Sequence, residues 1–154
     1  MMTPYVVVDA CVAGAWLFAE TYSVHARPVL DATVHRRVVA LAPDRFEEEL
    51  LRVCQKKLLA PPEGAGLAPP DSFARFLDLM TAPIPLYLLP SQELHERAWQ
   101  MAVATPRLTT HDALYLALAE RWGAELWTTD DVLASPAAAA YANVRDLRTE
   151  PFPY

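Results

Sequence analysis

Read by the alternation of apolar and polar positions, the chain begins with a strand. Tyr5 to Val8 is a run of aromatic and β-branched residues too short for a helix and apolar throughout, which predicts a strand covered on both faces. From Ala10 to Phe18 the period becomes helical, with Val12, Ala15, Trp16 and Ala19 on one face, so Asp9 falls at a strand-to-helix junction. Ser23 is placed as the cap of a second helix reaching about Arg36, and Val38 to Leu41 as a second strand closed by Pro43. The helix predicted from about Asp44 to Leu59 buries Phe46, Leu50, Val53, Cys54 and Leu58. That arc contains Glu47, leaves Glu49 at its margin and turns Glu48 to solvent. APPEGAGLAPP, from Ala60 to Pro70, reads as a loop. Asp71 to Met80 follows as a short helix with Phe73, Phe76 and Leu77 inward. Ile84 to Leu89 is a strand that Pro83 and Pro85 put at a sheet edge, and Ser91 to Ala104 is a helix facing inward through Leu94, Ala98, Met101 and Ala102.

The stretch from Thr109 to Asp131 has a different pattern. Ala113 to Ala119 is seven apolar residues in a row, so the helix that Asp112 opens has no polar face and must be wrapped by the rest of the protein. Thr109 as N-cap with Asp112 three residues on resembles a capping box. After a turn at Gly123, Leu126 to Thr128 reads as a buried strand, and Asp130 and Asp131 stand where it ends, before a small helix at Val132 to Ala134. Ala137 to Ala140 is too short and featureless to carry chemistry. Asn143 to Leu147 is the last strand, and EPFPY a tail. This order of strands and helices predicts an α/β fold with a parallel sheet between helical layers.

At 154 residues and 53% hydrophobic, residues 1–154 make one domain able to bury a core without disulfides or a structural metal. The net charge of -6 argues against a general basic coat for nucleic acid, although all but Lys56 and Lys57 of the 13 basic residues are arginine, the side chain suited to bidentate phosphate contact. Cys11 and Cys54 lack partners at metal-ligand spacing and read as small buried hydrophobes in a reducing compartment. Neither a secretory signal nor a membrane span is expected, so the protein is expected in the cytoplasm.

In such a sheet Asp9, Asp112 and Asp130 converge on the carboxyl edge, joined by Glu47 or Glu49 from the helix after the second strand. Each acid taken alone has an ordinary reading as a cap or first-turn residue. Together they repel one another unless a divalent cation joins them, and oxygen donors without Cys or His select Mg²⁺ or Mn²⁺ over Zn²⁺.

Three stretches carry a resemblance: VVVDACVAGAWLFAE, APDRFEEELLRVCQKKL and LTTHDALYLALAERWGAELWTTDDVL. They resemble the PIN-domain ribonucleases, and within them the VapC toxins of prokaryotic toxin–antitoxin pairs. The resemblance implies a three-layer α/β/α sandwich with a mainly parallel central sheet of four to five strands. By the family's spacing from Pro43 it selects Glu49 over Glu47, giving Asp9, Glu49, Asp112 and Asp130 as the catalytic and metal-binding set. It further implies one or two Mg²⁺ (or Mn²⁺) ions, hydrolysis of an RNA phosphodiester, a small antitoxin protein as partner, and a homodimer. Asp131 is then an auxiliary ligand, Thr128 and Thr110 are candidates for orienting carboxylates or water, and Arg52 for meeting a substrate phosphate or pairing with Glu48 or Glu49. Cys11 stands where the family usually has Ser or Thr, and Arg52 where it often has Asn. Two alternatives follow. One is an inactive PIN fold kept as a binding module. The other is a phosphoaspartyl hydrolase of the haloacid dehalogenase kind, which expects an Asp at position 11 and a later catalytic lysine.

Overall fold

A computed structural model describes residues 2–154. Five parallel strands, β1 (Tyr5–Val8), β2 (Val39–Pro43), β3 (Leu86–Leu89), β4 (Glu125–Thr128) and β5 (Val144–Asp146), form one sheet in the order β3-β2-β1-β4-β5. Val6, Val7 and Val8 are fully buried because β1 lies at the centre with helices on both faces. On one side α1 (Ala10–Leu17) packs on α2 (Ser23–Val34) and α3 (Arg45–Lys56), and α3 packs on α4 (Pro69–Thr81). On the other, α5 (His95–Ala104) packs on α6 (Thr110–Trp122), which crosses β1, β2 and β4. The result is the three-layer sandwich expected. A short helix, α7 (Pro136–Ala139), connects β4 to β5.

The chain leaves β1 toward β2 and β3, then returns to place β4 and β5 on the other side, so the strand order reverses between β1 and β4. A crevice opens at such a reversal beyond the carboxyl ends of the two strands. Val8 pairs with Trp127, which puts Asp9 beside Thr128.

The helix without a polar face is buried as its composition demands, from Ala113 to Ala119, and Gly123 ends it in the left-handed conformation at φ 59°. Several expectations need correction. Ser23 does not cap α2: its hydroxyl accepts from the Glu20 N–H and donates to the Phe18 carbonyl, bracing the preceding turn. The helix stops at Val34 because Arg36 turns to φ 56°. α4 begins at Pro69, where prolines suit a first helical turn, and its inward residues are Ser72, Phe76 and Leu79. Phe73 and Leu77 are instead half exposed, because the Ser72 hydroxyl donates to the Cys54 carbonyl and fixes which face meets α3. Ser91 leads into a single 3₁₀ turn and donates to Asp44 rather than capping a helix. Val132 to Ala134 is a turn, and the helix lies at Pro136–Ala139, capped by Ser135. The C-terminal segment is docked, not loose: Phe152 packs edge-on against Trp127 at 5.0 Å, burying apolar area that offsets the ordering of its backbone. Among the described residues no helix is long and apolar enough to cross a membrane.

Candidate active site

Asp9 is set by the end of β1 and caps α1, its Oδ1 accepting the Val12 N–H at 3.0 Å. Its Oδ2 accepts from the Thr128 hydroxyl, whose oxygen in turn accepts the Asp130 N–H at 2.9 Å. Thr128 is fully buried at the end of β4 and thus links the two acids that the neighbouring strands deliver. Asp130 is held by the turn after β4: its Oδ1 accepts from the N–H groups of Val132 and Leu133 at 2.9 and 3.0 Å.

The other two acids come from helices on opposite sides of the sheet. Asp112 stands in the first turn of α6, its N–H donating to the Thr109 hydroxyl at 3.2 Å. Glu49, one helical turn after Arg45 on α3, accepts at Oε2 from the Tyr115 hydroxyl at 3.0 Å. Tyr115 follows Asp112 by three residues and so shares its face of α6. The other Glu49 oxygen, Oε1, is buried without a partner. Such an acceptor costs its lost hydration unless a ligand supplies what the protein does not.

These acids feel one another. Burial pushes Asp9 up to about 7 from 3.8, opposed by the Thr128 and Val12 hydrogen bonds and reinforced by the charges of Asp130 and Asp112. Asp112 is raised by burial and by Asp130, against its bonds to Thr109. Burial also raises Glu49, with Asp112 adding to the effect and the Tyr115 bond opposing it. Among the described residues no three His, Cys, Asp or Glu side chains already form a metal-holding group. The acids are electrostatic neighbours, each ordered by its own hydrogen bonds.

Glu47 and Glu48 are exposed, so the periodicity that favoured Glu47 misplaced the inward acid. α4 is tied to α3 at Cys54, and Leu51 is left half exposed on the same side as Glu47, so that side of the first turn meets solvent. The Glu49 side continues into Val53, which abuts Gly14 of α1. A Cβ at Gly14 would come within 3.0 Å of Val53, so the close approach of α1 to α3 depends on that glycine.

The auxiliary residues divide. Thr128 lies at the centre of the site, whereas Thr110 is exposed and, among the described residues, bonds to no carboxylate. Asp131 is exposed and paired with Arg148, which also binds Asp146 at 2.9 Å, so it points away from the set. Arg52 is exposed and forms no ion pair with Glu48 or Glu49 among the described residues. Cys11 is exposed, not buried, and the Asp9 charge pushes its thiol up. Three functional neighbours escaped the sequence reading. Tyr115 had a signal, its three-residue spacing from Asp112. The Arg45 to His111 contact, 3.0 Å between Nη2 and Nε2, and the Arg148 bridge join distant segments and had none.

No curated protein matches the chain. Among solved structures, that of VapC20 from Mycobacterium tuberculosis, a toxin that cleaves the sarcin-ricin loop, is similar in fold: TM-score 0.63 at 15% identity, over 91% of this chain and 98% of that one. A family model for the PIN domain matches residues 6–139. That match runs from the second residue of β1 to the last of α7 and takes in all four acids, and the chain belongs to the PIN domain family.

Proposed function

We propose that this protein is a divalent-metal-dependent endoribonuclease and the toxin of a toxin–antitoxin pair. The observation that carries the reading is the unpartnered, buried Oε1 of Glu49 among Asp9, Asp112 and Asp130, of which burial and neighbouring charge disfavour Asp9 and Asp112 as anions. An all-oxygen donor set of this charge fits Mg²⁺ or Mn²⁺, held by Asp9, Asp112 and Asp130 with Glu49 alongside. A bound ion supplies positive charge against the phosphodiester as its oxygens gain charge in the transition state. Because no three ligands are pre-set among the described residues, holding one or two ions would call for side-chain rotation.

The chain's own groups have distinct tasks. The Val12 N–H and Thr128 hydroxyl fix Asp9, and the Val132 and Leu133 N–H groups fix Asp130, so both acids are oriented before substrate arrives. Tyr115 holds Glu49 by Oε2, which leaves Oε1 to accept the proton of an attacking water. Thr128 also fills the part that a hydroxyl at position 11 would otherwise play, because both Asp9 oxygens have donors with Cys11 in place. That supports an active enzyme over an inactive scaffold. Membership in the PIN family, with Cys11 where an acid would be required, removes the phosphoaspartyl alternative.

The toxin reading is supported by the likeness in fold to VapC20, and the resemblance in sequence to the toxins brings with it a small antitoxin as partner and a homodimer. Leu51 on α3, Leu58 just past its end, and Phe73 and Leu77 on α4 stand exposed, an apolar seat on which such a partner gains contact area. Purified protein is expected to cleave a structured RNA, such as a sarcin-ricin loop oligonucleotide, with Mg²⁺ or Mn²⁺ and not in EDTA. Undiminished cleavage in EDTA, or a calorimetric Mn²⁺ titration without heat, would overturn the assignment.

A further inference from the structure

A second feature lies beside the acids and has the opposite chemistry. Arg45, His95, Trp99, Thr110, His111 and Leu114 line a cavity of about 320 Å³ where α3, α5 and α6 meet, a volume at the low end of small-ligand sites. In a protein of net charge -6 it gathers one arginine and two histidines, and Arg45 continues into an adjoining recess that His95 also lines. The Arg45 Nη2 donates to His111 Nε2 at 3.0 Å and reaches Glu48 only at 3.7 Å, while its Nε is buried and has no partner. Trp99 is 63% exposed at the same cavity, a large aromatic surface left in water.

The residues that line the cavity adjoin the acidic set. Arg45 is one turn from Glu49 on α3, and His111 precedes Asp112 on α6, close enough for both side chains to act on Glu49. Donors for an anion, an aromatic face and immediate adjacency to the cleaving groups together describe a place for one nucleotide unit. Guanidinium N–H groups match phosphate oxygens, and a base stacks on an aromatic ring whatever its identity.

Building on the ribonuclease reading, we propose that this cavity receives the RNA nucleotide next to the scissile bond, with its phosphate on Arg45 and His111 and its base against Trp99. Trp99 and Arg45 are positioning residues, not catalytic ones. Exposed Trp99 and Val103 could alternatively form a contact between two copies of the chain, but a cavity lined by Arg45 and His111 with an unanswered N–H favours an anion.

The test measures binding apart from cleavage. A 5′-fluorescein-labelled single-stranded RNA decamer is titrated in EDTA against Asp112→Asn protein, alone and combined with Trp99→Ala, Arg45→Gln or Arg45→Lys. About tenfold weaker binding is expected for Trp99→Ala and for Arg45→Gln, with partial rescue by Arg45→Lys. With an abasic decamer the Trp99 effect disappears and the Arg45 effect remains. In the wild-type background, Trp99→Ala raises KM for cleavage and leaves kcat nearly unchanged. Trp99 is exposed enough that its removal spares the fold. Failure of the parent to bind the decamer, equal binding by Trp99→Ala, or a change from dimer to monomer on Trp99→Ala by light scattering overturns the proposal. Cleavage by wild type with binding indifferent to Trp99 and Arg45 sinks the subsite alone. The full binding pattern without any cleavage sinks the nuclease reading and leaves the subsite standing.

Discussion

Asp130 and Asp131 are adjacent in the chain and belong to two opposed electrostatic settings. Asp131 leans out from the end of β4 to Arg148, which also grips Asp146 through two nitrogens, and the guanidinium holds Asp146 below the usual carboxylate range. Asp130 turns the other way, toward Asp9 and Asp112, where among the described residues no Lys or Arg hydrogen-bonds to any of the three and both neighbours are pushed up. One cluster carries its own counterion and is stable as an anion; the other is assembled from the same residue type without one. The contrast separates structural acids from those kept for a ligand, since only the second set gains from an added cation.

The sharpest way to break the contrast is Asp112→Asn. In the uncompensated set this removes an anionic oxygen donor, and cleavage of RNA with Mg²⁺ is expected to fall on the order of a hundredfold or more. The loss of a helix N-terminal charge, about 0.3–1 kcal/mol, is opposed by relief of repulsion from Asp130, so the melting temperature should hardly change. A variant that melts far below wild type would mark Asp112 as a structural cap instead. Next comes Thr128→Val, nearly equal in volume but without the hydroxyl that serves Asp9 and Asp130. Hydrogen bonds to a charged group contribute about 1.5–3 kcal/mol, so a loss of that order in urea unfolding is expected, with cleavage down about ten- to a hundredfold. The Thr128 bond lowers Asp9, so its removal raises that group further and shifts the activity profile to higher pH.

The pH dependence of stability gives a smaller and reversible test. Asp9 sits near 7 in the fold against 3.8 ordinarily, and Asp112 and Glu49 are displaced the same way. Their folded forms bind protons more tightly than the unfolded chain, so the stabilisation is full below about pH 4 and is lost as pH rises through 7. In EDTA the melting temperature should therefore fall between pH 5 and pH 8, by an amount on the order of a few kcal/mol in unfolding free energy. Millimolar Mn²⁺ should restore it at pH 8 and do little at pH 5. A melting temperature that rises with pH over this window in EDTA would contradict the account.

How far the sequence could be read follows the same division. The sheet was legible because period-2 and period-3.6 patterns answer to burial, and burial dominates β1, β4 and α6. Asp9, Asp112 and Asp130 were legible because strand ends and a helix start fix where a side chain begins. Glu49 was legible only through the family resemblance and its spacing from Pro43, not through periodicity, because which side of α3 lies inward depends on where α4 and α1 lie against it. Leu58 illustrates this: counted into the buried arc, it lies beyond the end of α3 and is exposed, and it pulled the arc toward Glu47. Phe73 failed for a related reason, since a buried hydroxyl, Ser72, decided the face that hydrophobicity alone assigned to a phenylalanine. Asp131, expected as an auxiliary ligand, is instead taken up by Arg148, which the segment after β5 brings alongside.

Arg148→Met probes the compensated cluster and should have the smallest effect. The substitution keeps much of the aliphatic stem but removes the guanidinium that joins Asp131 and Asp146. Asp131 is largely exposed, so its half of the bridge is screened by water and contributes little; Asp146 is better covered and accounts for most of the loss. The expected cost is about 0.5–1 kcal/mol, read as a small drop in urea midpoint that vanishes below the pH at which Asp146 is protonated. The sign follows from Asp146 being lowered in the fold: its contribution is present at neutral pH and is lost as pH falls. RNA cleavage with Mg²⁺ should be unchanged, because among the described residues Arg148 binds no member of the uncompensated set. A marked loss of activity would mean that Asp131 communicates with Asp130 through the turn they share, and the division between the two clusters would have to be redrawn to include it.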